Sequence, residues 1–156
     1  MRNKRIITTT LSLFLVVLMA LTMVSCGGDS GSSSGSGSKG SPKDVVNTFF
    51  DSIDKQDAKK FLGCFEKDVQ KEILEYTDED EIEDQLKDLD EMLEDEFGKS
   101  WRKKIKVTGS EKVDTDDDIT YYEVTVEFDE DEETMTVLKI KNKYYIDPDT
   151  FYDFMY

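Results

Sequence analysis

The chain of 156 residues contains no histidine. That absence excludes every chemistry that needs an imidazole, including the Ser-His-Asp triad and the histidine-ligated zinc enzyme. There are only two cysteines, Cys26 and Cys64, so at most one bridge could form and a disulfide-stapled miniprotein is excluded. Bases are scarce: 20 Lys+Arg stand against 36 Asp+Glu, a net charge of −16. Such a field repels polyanions, so nucleic acid is not expected as a partner. Proline occurs twice, at Pro42 and Pro148, and outside one short stretch glycine occurs three times. Residues 42–156 therefore have few breaks and are long enough for one domain with its own core.

What the sequence does have begins at its first residues. Met1–Arg5 carries Arg2, Lys4 and Arg5 and no acid, and Ile6–Val24 then runs 19 residues without a charge. Basic start and apolar core have the form of a secretory signal. The run ends in Met23-Val-Ser-Cys26. This resembles the lipobox of bacterial lipoproteins, in which small residues precede an invariant cysteine, with Met23 where the family usually has leucine. The resemblance implies that residues 1–25 are cleaved and that Cys26 is lipidated with a diacylglyceryl group as the new N-terminus. A pair of acyl chains anchors stably where one would be marginal. The alternative is an uncleaved anchor, since 19 apolar residues just suffice to cross a bilayer. Both place the following chain outside the cytoplasm, because the positive end stays inside. Cleavage would leave 17 bases and 36 acids, a charge of −19.

Residues 26–41 follow as the lipidated cysteine and a Gly/Ser linker, with six of the nine glycines between Gly27 and Ser41. Fifteen such residues have a root-mean-square reach of about 20 Å.

From Ser41 the periodicity is helical. Ser41-Pro42-Lys43-Asp44 has a capping residue, proline at the first helical position and an acid in the first turn. Val45, Val46, Phe49, Phe50 and Ile53 then recur at helical spacing through Asp54. Asp57 is expected to cap a short second helix bearing Phe61, Leu62, Cys64 and Phe65, and a helical rhythm continues to Tyr76. Thr77 is expected to begin a longer helix with the stripe Ile82, Leu86, Leu89, Leu93 and Phe97, stopped by Gly98.

The period then becomes two. Trp101, Lys103, Ile105 and Val107 alternate with bases and Thr108, which predicts a strand starting at Trp101. Tyr122, Val124, Val126 and Phe128 alternate with Tyr121, Glu123, Thr125 and Glu127, and Thr134–Lys141 is rich in strand formers. Asn142-Lys143 predicts a turn into Tyr144-Tyr145-Ile146, with acidic loops at 114–118 and 129–133. The expected fold class is α+β, with N-terminal helices packed on a curved four-stranded antiparallel sheet. The aromatic tail Phe151–Tyr156 is expected to pack back on it.

This layout resembles the nuclear-transport-factor-two-like, cone-shaped α+β superfamily. More narrowly, it is similar to small lipid-anchored domains of unknown function in Gram-positive bacteria. The resemblance rests on Pro42–Phe50, Asp57–Leu62, Tyr122–Val126 and Lys141–Asp147. In the last stretch Asn142 and Tyr144 stand where the family usually has glycine and tryptophan. The resemblance implies a conical pocket between sheet and helix, but the superfamily holds both enzymes and binders, so it selects no activity.

Among candidate site residues, Trp101, Tyr121, Tyr122, Tyr144 and Tyr145 could line a pocket; aromatics on strands are otherwise core. Cys64 sits on an apolar helix face without a base to activate it, which marks a structural thiol. Asp78–Phe97 holds twelve acids and one base, Lys87, a pattern that suits a solvated face or a cationic partner. Asp114-Thr-Asp-Asp-Asp118 imitates a calcium loop but lacks the glycine at position 6 and the glutamate at position 12. No catalytic residue, metal ligand or cofactor is assigned. The expected function is a membrane-anchored, extracytoplasmic binding domain for a small molecule or an envelope protein. The alternatives are an isomerase- or hydrolase-like enzyme with a buried carboxylate, and a module docking a cationic envelope partner through its acidic helix.

Overall fold

A computed structural model describes residues 37–128 and 131–150. Cys26, the expected signal segment, most of the expected linker and the tail Phe151–Tyr156 lie outside the described residues. The fold is α+β, with five helices packed on a four-stranded antiparallel sheet of order β1-β2-β3-β4. The helices are α1 (Pro42–Asp54), α2 (Ala58–Gly63), α3 (Lys67–Tyr76), α4 (Glu79–Phe97) and α5 (Trp101–Lys104). The strands are β1 (Ile105–Asp116), β2 (Ile119–Phe128), β3 (Asp131–Ile140) and β4 (Lys143–Ile146).

Helix α1 starts where its capping chemistry dictates. The Ser41 hydroxyl accepts from the Asp44 amide while the Asp44 carboxylate accepts from the Ser41 amide, a closed capping box followed by Pro42. The helix buries Val45, Val46, Phe49, Phe50 and Ile53. Each such side chain contributes about 1.5–3 kcal/mol. Its partners are the helix-facing side chains of the sheet, chiefly Val124, Val126, Met135, Val137 and Ile146. Phe50 meets Phe128 edge-on at 5.7 Å, which fixes α1 across the sheet.

The chain is tied down before α1 begins. The Gly37 amide donates to the Gly63 carbonyl, and Ser38 pairs with Tyr144 at the edge of the sheet. The end of the linker thus belongs to the fold. Gly37 has φ +79°, and a β-carbon there would meet the Tyr145 ring at 2.6 Å, so only glycine fits.

Two sequence expectations are overturned: the loops expected at 114–118 and 129–133 are shorter, because Asp114–Asp116 and Asp131–Glu133 belong to paired strands, and the first strand does not start at Trp101. Trp101–Lys104 is a helical turn, and the strand starts at Ile105. In a strand, Trp101 and Arg102 would point to opposite faces. Here both reach into the helical layer. The Trp101 indole donates to Asp90 on α4 at 2.7 Å, and the Arg102 guanidinium donates to Asp51 on α1 at 2.7 Å and to the Asn47 side chain at 3.0 Å. Gly98, at φ +85°, allows the reversal that brings them back. Strand β1 in turn runs on to Asp116 through register shifts at Thr108 and Val113, and two residues, Asp117-Asp118, connect it to β2.

Candidate functional site: a tyrosine pair on the helix-facing side of the sheet

Directly opposed residues in an antiparallel pair share a face, and neighbours along a strand alternate. The register therefore sorts the aromatic candidates without ambiguity. Tyr122 is level with Val137, which is level with Ile146, and both partners are core. Tyr144 is two residues from Ile146 and faces the same way. Tyr121 is level with Leu138 and Leu138 with Tyr145, all on the opposite face. Trp101 is on neither face: it is 1% exposed within the core, under α4.

The structure thus brings two of the five candidates together on the helix side. Tyr122 and Tyr144 are half-buried, with ring centroids 5.7 Å apart in an edge-to-face arrangement. Such a pair contributes about 0.5–1.5 kcal/mol beyond its buried area. Tyr145 is 8% exposed and is covered in part by Gly37.

Two lysines join this pair. Lys139, directly between Thr120 and Tyr144 in the register, holds its ammonium 5.4 Å from the Tyr144 ring centroid. Lys112 is directly opposite Tyr122. Two adjacent rows on this face run Lys112, Tyr122, Val137, Ile146 and Thr115, Thr120, Lys139, Tyr144. Neither contains a carboxylate, in a chain where acids outnumber bases 36 to 20. Among the described residues, the ion pairs found involve neither lysine.

The other candidate groups are placed elsewhere. Cys64 is 1% exposed; its thiol lies 3.3 Å from the Lys60 carbonyl, and burial pushes its pKa up to about 12. A thiol so held is not a nucleophile near neutrality. The acids of α4 surround a stripe of which only Ile82 and Leu86 are fully buried. Asp90 has one carboxylate oxygen on the Trp101 indole and the other accepting from Gln56 at 3.2 Å. Asp114 and Asp116 are exposed on β1, and no group of three or more potential metal ligands gathers among the described residues.

No family model, curated protein or solved structure matches the chain. The sequence marked Tyr122 and Tyr144 as candidates but missed Lys139 and Lys112. The available signal was parity: Lys139 is two residues from Val137, and adjacent tyrosines on a strand must face apart.

Among the described residues no helix is long and apolar enough to cross a membrane; the uncharged run Ile6–Val24 lies outside them.

Proposed function

We propose that the protein is a membrane-anchored extracytoplasmic lipoprotein whose folded domain binds a ligand without transforming it. The anchor reading is supported by the sequence of residues 1–26: basic start, 19 uncharged residues, and small residues before Cys26. With Gly37 onward tied to the fold, a tether of residues 27–36 would let the domain stand off the bilayer by about 17 Å.

One observation carries the binding reading: the half-buried Tyr122–Tyr144 pair on the helix side of the sheet, with Lys139 over one ring. Half-buried aromatic rings beside a fixed polar group are the usual make-up of a recognition surface. Turnover would need an activated group beside them, and the domain's thiol, Cys64, is instead sealed in the core. The order of helices first and an antiparallel meander after them also supports kinship with the cone-shaped α+β superfamily.

Fractionation of bacterial cells expressing the full chain tests the anchor. The protein should pellet with membranes and be degraded by protease added to wall-stripped cells. Cys26→Ser should lose the lipid and its retention by acyl chains. Protein found in the cytosol and protected from protease would contradict the proposal.

A further inference from the structure

We infer that the Tyr122–Tyr144 surface takes a small organic anion, with its ring or apolar body against the tyrosines and its carboxylate or phosphate at Lys139 and Lys112. The inference rests on the binding reading above and names the ligand class for that site. It is drawn from charge as much as from shape. The two rows that carry the tyrosines contain two lysines, two threonines and no carboxylate. The far face of the same strands carries Glu111, Asp114, Asp116 and Glu123. On the helix side the strand carboxylates, Asp131 and Glu133, are level with Phe128 and Val126 at the other end of the strands, so the tyrosine end of that face is the part without a carboxylate. At physiological salt, exposed charges beyond about 8 Å are screened, so the nearest lysines set the field over the rings rather than the net charge.

Position supports the same ligand class. Lys139 lies level with Tyr144 on β3, the strand between the two tyrosines, and Lys112 lies level with Tyr122 on the outer neighbour β1, so each ring has a lysine directly beside it in the register. Lys139 is half-buried and already rests 5.4 Å from a ring centroid, which restricts it and lowers the entropy cost of meeting an anion. The hydroxyls of Thr115 and Thr120, in the same row as Lys139, add donors that either a carboxylate or a phosphate accepts.

The test is a nuclear magnetic resonance titration of the full-length protein in detergent, with labelled tyrosine rings. The probes are benzoate, phenyl phosphate and neutral benzyl alcohol. Tyr121 and Tyr145, on the opposite face, serve as internal controls. Saturable shifts at Tyr122 and Tyr144, absent at Tyr121 and Tyr145, are expected for one or both anions; which anion binds more tightly separates carboxylate from phosphate. The double substitution Lys112→Gln, Lys139→Gln should weaken that binding about fivefold, in keeping with one exposed and one half-buried charge contact. The control Lys103→Gln, Lys104→Gln removes the same charge elsewhere and should change it less than twofold. Benzyl alcohol binding the rings as tightly as the anions would overturn the ligand class and leave the binding surface standing. No saturable shift with any probe, or equal shifts on both faces, would overturn the site itself.

Discussion

The indole N–H of Trp101 donates to the Asp90 carboxylate at 2.7 Å, and this bond joins the middle of α4 to α5, the turn that leads into β1. Trp101 is 1% exposed, so its donor has no water to fall back on. Asp90→Ala should therefore destabilise the fold by about 1–3 kcal/mol, the cost of an unsatisfied buried donor. Asp90→Asn retains an acceptor oxygen and should cost less. Asp88→Ala, exposed on the same helix, should lie within about 0.5 kcal/mol of the parent. Urea unfolding followed by Trp101 fluorescence measures all three.

Asp57 gives a prediction with a pH sign. Its carboxylate accepts from Lys60, both from the side chain at 2.7 Å and from the backbone amide at 2.9 Å, and these bonds hold its pKa below the ordinary 3.8. The folded value is the lower one, so the stabilisation is present above the unfolded value and is lost as pH falls through the folded one. Asp57→Ala should cost about 1 kcal/mol at neutral pH, as expected for a lost helix cap. The gap between parent and variant should narrow as pH falls below the ordinary carboxylate range and Asp57 takes up its proton. A gap that widens on acidification would contradict the assignment.

Gly37→Ala tests the tie between linker and sheet. The added carbon would meet the Tyr145 ring at 2.6 Å, on a backbone at φ +79°. The expected cost is about 1–3 kcal/mol, confined to this corner. Hydrogen exchange should speed up at the Ser38 and Tyr144 amides, which bond each other's carbonyls across the edge. The Ile146 amide, bonded to the Cys64 carbonyl, should keep its protection.

Cys64 predicts a labelling pattern. Burial pushes its thiol pKa up to about 12, so a maleimide reagent should not modify it in the folded protein. Denaturant should expose it, and one label per chain is expected because an acylated Cys26 offers no thiol. Two labels per unfolded chain would contradict the lipid anchor; rapid labelling of the folded chain would contradict the packing of α2.

Much of the helical layer is legible in the sequence because it is set by local chemistry. Ser41 and Asp57 cap helices by bonds that span three residues, and the burial of Val45, Val46, Phe49, Phe50 and Ile53 follows from spacing. Gly98 stops α4 because its positive φ suits glycine. The turn at Trp101–Lys104 was not legible: its residues alternate like a strand, and the contacts that override the alternation come from Asp90, Asp51 and Asn47, up to 55 residues away. The length of β1 was hidden for another reason. Beyond Ser110 it is exposed on both faces, so no apolar rhythm marks it. The candidate site was half legible. Its tyrosines stood out as aromatics, but dividing them between the faces requires the strand register, and the two lysines gain meaning only once that register places them beside the rings.

Mass spectrometry of the N-terminal peptide of protein purified from bacterial membranes tests the central claim most directly. The account requires a chain that starts at residue 26, with a diacylglyceryl group on the cysteine sulfur. A chain that retains residues 1–25 with an unmodified thiol at Cys26 would contradict it.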